Sequence, residues 1–459
     1  MPSVRRNSRE PEMKTRKAGA IRIGGGSGFS NDRLDAALEL VERGDIDVLM
    51  LETLAERTLA LLQVAKRKGG SGYWDNLAGR LDMLLPAMAR RGTKFVTNAG
   101  GAAPEACARM IARLARERGI TVKVAAVTGD DVTDLVHALD PVLAETREPV
   151  SKLGSDIICT NAYLGADAIA SAYAAGADVI VTGRVTDSAL ALGPIMATLG
   201  WRPDDNDAMA CGVLAGHLLE CGGQATGGYF AEPGLKDVPD VERIGFPIAE
   251  VRDDRSITIT KPPGSGGRID RHTVTEQILY EMHDPAAYLT PDIALDVTRL
   301  DLAESGPDEV RLTGARGHPR PDTLKVLIGV DSGVLAEIEI SYAGINCVAR
   351  ARLAADIIRK RAARDPMLGN QTIQCDLIGV SSAWPGETER PVRDVRLRVA
   401  ARVPDQTAAD RLITEVESLY VNGPAGGGGV RIASRPTIRT YTTFVPRAKV
   451  TPRWAFVEG

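Results

Sequence analysis

The stretch Ile21–Arg33, which reads IRIGGGSGFSNDR, decides how the N-terminal part of this chain is expected to fold. A short β-branched segment runs into four glycines within five residues, namely Gly24, Gly25, Gly26 and Gly28. A helical pattern then begins at Leu34. The order predicts a strand, a loop and a helix in direct succession. The glycines leave room for a ligand to approach the backbone.

The start of that helix is a candidate anion site. The first N–H groups of a helix have no partner inside the helix, and the helix dipole is positive at this end. We therefore expect an anionic small molecule to contact the loop, and the substrate-binding residues predicted there are Gly25, Gly26, Ser27, Gly28 and Asn31. The alternative is a tight strand–helix turn that binds no ligand.

Short apolar runs alternate with helical patterns from residue 19 to about residue 200. Parallel strands that are buried on both faces give runs of this kind, so the pattern predicts an α/β fold with a doubly wound, mostly parallel sheet. A β/α barrel is left open. In both folds ligands bind at the carboxyl ends of the strands. Polar residues stand at the ends of five runs: Glu52, Asn98, Asp130, Asn161 and Arg184.

Three segments are expected along the chain. Residues 1–18 are basic and poor in hydrophobic side chains, which predicts a disordered tail. Residues 19–300 are expected to form the α/β domain. From residue 301 to residue 459 alternating strands and two helices predict an α+β domain with a largely antiparallel sheet.

Composition limits the classes of partner. The net charge is −4 and aromatic residues make up 4% of the chain, which argues against a nucleic-acid surface or an anionic membrane surface. No apolar run approaches the roughly 20 residues of a membrane helix. The six cysteines stand singly without a CxxC pair, so we expect a cytoplasmic protein with buried thiols and predict no metal site.

His217, Glu220 and Cys221 form an H-x-x-E-C motif. On a helix these positions share one face, so His217 and Glu220 could work as an acid–base pair. The alternatives are three ligands of a divalent metal, or a purely structural helix end. The glycine-rich stretch Gly222–Phe230 follows directly and favours a site.

Further candidates follow other strands. Arg184 offers a planar guanidinium to a carboxylate, and Asp187 is placed to orient it; an ion pair within a helix turn is the alternative. Lys261 opens the turn KPPGSGGR and could bind a phosphate or carboxylate, or be a solvated charge. Asn98 and Asn161 are expected to contact substrate from their strand ends.

A dinucleotide site is a weaker alternative. The loop GGGSG lacks the third glycine of GxGxxG and the GK[ST] ending of a P-loop, although Glu52 follows at about the distance of a ribose ligand. Neither a GxSxG elbow nor an HExxH motif occurs, so serine hydrolases of the α/β type and zincins find no support.

Four long strings resemble one family: IRIGGGSGFSNDR, NAYLGADAIASAYAAGADVIVTGRVTDSALALGPI, GHLLECGGQATGGYF and TVTEQILYEMHDPAAYLTPD. They are similar to the acyclic terpene utilisation (AtuA) family, and the resemblance runs from about residue 20 to the C-terminus. It implies a role in bacterial breakdown of citronellol and geraniol, a pathway that handles branched, unsaturated acyl-CoA thioesters. It supplies no catalytic residues. Some members carry a small additional C-terminal domain, so a separate small subunit is a further candidate partner.

These observations predict a hydratase or other lyase acting on a branched unsaturated carboxylic acid or its CoA thioester. Glu220, with His217 or Asp187, would move a proton next to the carbonyl group. No cofactor is assigned; CoA is a candidate as part of the substrate, and a homo-oligomer is expected. One alternative is an accessory or ligand-binding subunit of an acyl-CoA-processing, carboxylase-like assembly. Another is a dinucleotide-dependent oxidoreductase.

Overall fold

A sheet of ten strands organises the first of two units in this computed structural model. The structure describes residues 19–154, 156–384 and 391–458, so the tail expected at residues 1–18 lies outside it. The first unit comprises the chain up to Gly329 together with Thr440–Gly459, and the second is Val330–Arg439. The sequence-based domain ranges stay predictions, because they concern folding domains, whereas these units are defined by compactness alone.

The helices and strands are numbered in chain order. The strands are β1 Ala20–Gly25, β2 Val48–Leu51, β3 Lys94–Thr97, β4 Val124–Thr128, β5 Ile157–Ala162, β6 Val179–Thr182, β7 Ile248–Arg252, β8 Ile257–Thr260, β9 Tyr288–Leu289, β10 Ala294–Asp296, β11 Asp301–Gly306, β12 Glu309–Thr313, β13 Arg316–His318, β14 Thr323–Ala343, β15 Gln374–Ile378, β16 Asp394–Val403, β17 Gly428–Pro446 and β18 Arg453–Phe456. The α-helices are α1 Leu34–Arg43, α2 Glu56–Arg67, α3 Leu77–Arg91, α4 Pro104–Glu117, α5 Thr133–Leu139, α6 Asp167–Ala174, α7 Ala189–Leu199, α8 Asn206–Leu219, α9 Arg271–Leu279, α10 Cys347–Ala362, α11 Gln406–Glu417 and α12 Leu419–Asn422.

The centre of the large sheet is parallel. Its strand order is β11-β12-β8-β7-β1-β2-β3-β6-β4-β18, and the five strands from β1 to β4 in this order run parallel. The strands on both flanks are antiparallel. The expected α/β class is therefore confirmed. Helix α3 contacts α1 and α4, and helix α7 contacts α6 and α8; this grouping supports a doubly wound sheet, which stays a prediction.

The burial of individual strands and helices agrees with their sequence patterns. All four residues of β2 are buried, as the apolar run VLML requires of a central parallel strand. Helix α1 is amphipathic and buries Ala36, Ala37, Leu40 and Val41, which belong to one hydrophobic core. Helix α8 is buried from Ala208 to Leu219, and the Asp205 carboxylate accepts a hydrogen bond from the Ala208 N–H at its start.

The second unit is built on antiparallel strands. Strands β15 and β16 pair antiparallel, as do β16 and β14, and β17 follows β14 in the sheet. Helices α10 and α11 pack against β16, and together they bury a separate hydrophobic cluster. Antiparallel sheets were expected in the C-terminal part of the chain. None of the described helices combines the length and the apolar character needed to cross a bilayer.

The glycine loop after β1 lies against the end of α8. A Cβ atom on Gly25 would come within 2.3 Å of the Leu219 carbonyl oxygen, and one on Gly28 within 2.6 Å of the Cys221 carbonyl carbon. The Gly25 N–H donates to the Pro247 carbonyl oxygen at 3.0 Å. The absence of side chains is therefore needed for this close packing, whether or not a ligand binds there.

Gly25→Ala is expected to destabilise the protein by about 1–3 kcal/mol, because the new methyl group overpacks against backbone. The matched control is Gly79→Ala in α3, where an added Cβ would meet no atom within 4 Å. The control should gain roughly 0.5–1 kcal/mol, because alanine favours a helix over glycine. Urea denaturation measures both variants, and equal stabilities would contradict the packing argument.

Candidate functional site

Four of the polar residues expected at strand ends lie at one edge of the sheet. Glu52, Asn98, Asp130 and Arg184 follow the parallel strands β2, β3, β4 and β6, so their backbones meet at the common carboxyl edge. Asn161 is the penultimate residue of β5, which pairs with β14 outside the ten-stranded order, yet its Nδ2 donates to the Asp130 carboxylate at 2.8 Å. The same Asp130 oxygen accepts the Arg184 N–H at 2.9 Å.

A cavity of about 470 Å³ opens at this edge. Four of the predicted site residues line it: Gly28, Arg184, Asp187 and Glu220. Carboxyl groups dominate the polar part of its wall, and the further ones are Asp32, Glu52, Glu56 and Glu281. A cavity of this size and polarity suits a small organic ligand with a few hydrogen-bonding groups.

Arg184 is held rigidly in the wall. Its side chain is 1% exposed, and its guanidinium pairs with the Asp187 carboxylate. It also donates to the Leu54 carbonyl oxygen and, at 2.8 Å, to the Val185 carbonyl oxygen. The guanidinium lies 4.6 Å from the centre of the Tyr163 ring. Three of the five N–H groups of the guanidinium are used in these bonds, and two have no partner among the described residues.

His217 and Glu220 form a buried pair. The His217 Nδ1 lies 2.8 Å from the Glu220 Oε1, and Nε2 lies 3.1 Å from the Ile278 carbonyl oxygen. A carbonyl oxygen only accepts, so Nε2 carries its hydrogen, and one proton is shared between Nδ1 and Glu220. Burial raises the pKa of Glu220, which favours the protonated form of this carboxyl group.

Only Glu220 of this pair reaches the cavity. Its side chain is 13% exposed, whereas that of His217 is 1% exposed. Both ring nitrogens of His217 already have partners in the protein, which leaves no lone pair for a metal ion. Within the described part of the chain, no three His, Cys, Asp or Glu side chains are grouped as metal ligands would be.

Glu52 is a second carboxyl group with an altered proton affinity. Burial, together with the nearby Asp187 charge, raises the pKa of Glu52 to about 8. Its Oε1 accepts hydrogen bonds from the Leu54 N–H at 2.7 Å and from the Asn98 Nδ2 at 3.0 Å. A carboxyl group with this pKa can exchange a proton near neutral pH, which is a requirement for general acid–base catalysis.

Apolar side chains form the remaining wall. Phe246 and Ile244 are buried, while Phe29 is 55% exposed and Tyr229 is 91% exposed at the mouth. Such a surface suits a hydrocarbon chain that enters from solvent. Burial raises the pKa of Cys221, which also lines the cavity, so its thiol stays protonated and is a poor nucleophile.

Several predicted binding groups already have partners within the protein. The Gly26 N–H donates to the Met50 carbonyl oxygen at 2.8 Å, the Ser27 hydroxyl to the Glu52 carbonyl oxygen at 2.6 Å, and the Gly28 N–H to the Asp32 carboxylate at 2.8 Å. These bonds leave fewer free hydrogen-bond donors in the loop for an anion.

The other predicted binding residues lie away from the cavity wall. Lys261 is buried, pairs with Asp308 at 3.0 Å and donates to the Ser265 carbonyl oxygen at 2.8 Å. Asn31 is exposed, and Asn98 accepts the Thr53 N–H at 2.8 Å. The roles of all these residues in substrate binding stay predictions.

The sequence reasoning did not assign Glu56 or Glu281 to a site. Glu56 begins α2, and its Oε1 accepts a hydrogen bond from the Tyr163 hydroxyl at 2.5 Å. Glu281 follows the end of α9. For Glu56 a signal was available, since it lies four positions after the strand-end residue Glu52 at the carboxyl edge. For Glu281 no local pattern points to the cavity.

Fold and site together define an α/β protein with an acid-rich small-molecule cavity at the carboxyl edge of its parallel strands. The chain belongs to the acyclic terpene utilisation family. The model of the "Acyclic terpene utilisation family protein AtuA" matches residues 21–456, which confirms the resemblance that the sequence carries. No curated protein and no solved structure matches the chain. Membership associates it with the use of acyclic terpenes.

Proposed function

We propose that the protein is a lyase that hydrates the carbon–carbon double bond of a branched, α,β-unsaturated acyl compound. The observation that carries this proposal is the His217–Glu220 pair, which shares one proton and opens to the cavity only through Glu220. Glu52, with a pKa of about 8, lines the same cavity and provides a second proton-transfer group. Two carboxyl groups with altered proton affinities suit a reaction that needs one acid and one base.

In the hydration direction the ionised Glu52 takes a proton from water. The water oxygen forms a bond to the β-carbon, and the electron pair of the double bond moves to the α-carbon. The Glu220–His217 pair then delivers its shared proton to the α-carbon. Dehydration runs through the same steps in reverse. The remaining N–H groups of Arg184 bind the carbonyl oxygen, where negative charge develops.

The charges of the cavity favour a thioester over a free acid as the reacting group. Although burial opposes it, the hydrogen bond from the Tyr163 hydroxyl lowers the pKa of Glu56, so this cavity carboxylate stays ionised and would repel a carboxylate ligand, whereas a thioester carbonyl is neutral. The branched hydrocarbon chain contacts Phe246 and Phe29 on the apolar wall. This choice between the two substrate forms is part of the proposal.

Isotope incorporation tests the reaction. The purified protein is incubated in ¹⁸O-labelled water with a branched α,β-unsaturated acyl-CoA thioester and, separately, with the corresponding free acid. We expect a β-hydroxy product that carries the label, formed faster from the thioester. If thioesters of several chain lengths bind but no labelled product forms, the lyase proposal is contradicted. That outcome would favour the accessory-subunit alternative.

The dinucleotide-dependent oxidoreductase is supported less well. Glu52, the expected ribose ligand, is 7% exposed and accepts internal hydrogen bonds, and the loop amides near the expected pyrophosphate position have protein partners. A rise in melting temperature with NAD or NADP would support that alternative instead. Homo-oligomer formation, a small partner subunit and a cytoplasmic location stay expectations.

A further inference from the structure

A second cavity, of about 700 Å³, adjoins the first one in the same unit. Phe230 lines it, while the preceding residues Gly228 and Tyr229 line the acid-rich cavity. Helix α9 connects the two: its first residues line the second cavity, and Glu281, just beyond its end, lines the first. The nine residues of α9 span about 14 Å. One extended ligand can therefore reach both cavities along this helix.

Cations distinguish the second cavity from the first. The basic side chains that line it are Lys236, Arg268, Arg271 and His272. Arg271 and His272 are exposed, and their side chains have no ion-pair or hydrogen-bond partner among the described residues. Arginine in such a position is suited to bidentate binding of phosphate.

The acidic residues of this cavity are already engaged. Glu276 pairs with Lys236, and the Glu304 Oε1 accepts the Arg271 N–H at 3.1 Å. Lys236 also lies 4.7 Å from the centre of the Phe230 ring. Arg268 pairs with Asp270, so the Arg271 guanidinium and the His272 imidazole are the basic side chains of this cavity left without a partner among the described residues.

We propose that the second cavity binds the phosphate groups of a CoA thioester whose acyl group occupies the acid-rich cavity. This inference rests on the proposed function in its thioester form and identifies the part of the substrate that a free acid lacks. A phosphate-bearing tail is attracted to Arg271, whereas the neutral thioester lies among the carboxyl groups. The glycine-rich loop ending at Phe230 lies beside the pantetheine arm, which joins the acyl group to the phosphate groups.

Calorimetric titration with free coenzyme A tests this site without turnover. We expect coenzyme A to bind, and Arg271→Ala to weaken its binding about tenfold, or ~1.4 kcal/mol. His272→Ala is the second variant and should also weaken binding. Arg316→Ala is the matched control, because Arg316 is exposed and does not line this cavity. Pantetheine, which lacks the phosphates, should bind the wild type and Arg271→Ala equally.

The outcomes separate this inference from the proposed function. The phosphate site is overturned if coenzyme A does not bind, or if it binds the Arg271→Ala,His272→Ala double variant as tightly as the wild type. This holds even if hydration is observed. If coenzyme A binds in an Arg271-dependent manner but no thioester is hydrated, the phosphate site is supported and only the lyase proposal is overturned. Titrating Glu220→Gln makes the separation direct, since its coenzyme A affinity should equal that of the wild type.

Discussion

Glu220→Gln is expected to lower the kcat of hydration by about 10²–10⁴-fold, the usual contribution of a positioned acid or base. Glutamine has nearly the same shape and can still donate a hydrogen bond to the His217 Nδ1. It cannot deliver a proton to the α-carbon. The loss should therefore appear in kcat, with little change in KM or in the melting temperature. Steady-state kinetics on the thioester, together with thermal unfolding, measures both effects.

Glu117→Gln serves as the control for this substitution. Glu117 is the last residue of α4, and its side chain is 60% exposed in a surface pair with Arg113. It should keep the wild-type rate, because surface pairs contribute little and this one lies outside the cavity wall. A Glu220→Gln variant that retains full activity would remove Glu220 from the mechanism.

Arg184→Met is expected to destabilise the protein by about 3–5 kcal/mol, the range found when one partner of a buried ion pair is removed. The change leaves the Asp187 carboxylate without its cation and the Leu54 and Val185 carbonyl oxygens without a donor. It also removes one of the two cations that lie over the Tyr163 ring, the other being Lys325. Urea and thermal unfolding measure the loss.

A double variant shows how much of this loss is due to the unpaired charge. Arg184→Met combined with Asp187→Asn should recover part of the stability, because asparagine carries no charge that needs a counterion. Arg316→Met, at an exposed position, should change stability by less than about 0.5 kcal/mol. A single Arg184→Met variant as stable as the wild type would show that the buried pair does not hold the cavity wall in place.

Local features of the site could be predicted from spacing. Arg184 and Asp187 are three positions apart, as are His217 and Glu220, and both pairs meet in the structure. His217 and Glu220 share a face at the end of α8, whereas Arg184 and Asp187 meet in the turn before α7, so local backbone geometry brings each pair together. The approach of Glu52 to Asn98 was harder to predict, because it depends on two strands pairing side by side.

The sequence by itself determined the succession of short buried strands and amphipathic helices. Helix α1 begins at Leu34, as its pattern predicts, because side chains that alternate between core and solvent carry a readable period. The H-x-x-E-C motif indicates a helix around His217, but no pattern indicates that α8 already begins at Asn206. A helix buried on all sides has no polar face, so its length cannot be read from periodicity.

Only the tertiary structure decided how the strands are ordered and which groups share a cavity. Strand β18, near the C-terminus, pairs with β4 at the edge of the large sheet, and β5 pairs with β14 instead of joining the parallel strands. Pairing between distant segments depends on the burial and backbone hydrogen bonds of the whole fold, which no local pattern records. The same long-range packing placed Glu52 and Glu220 on one wall, where burial raises the pKa of both carboxyl groups.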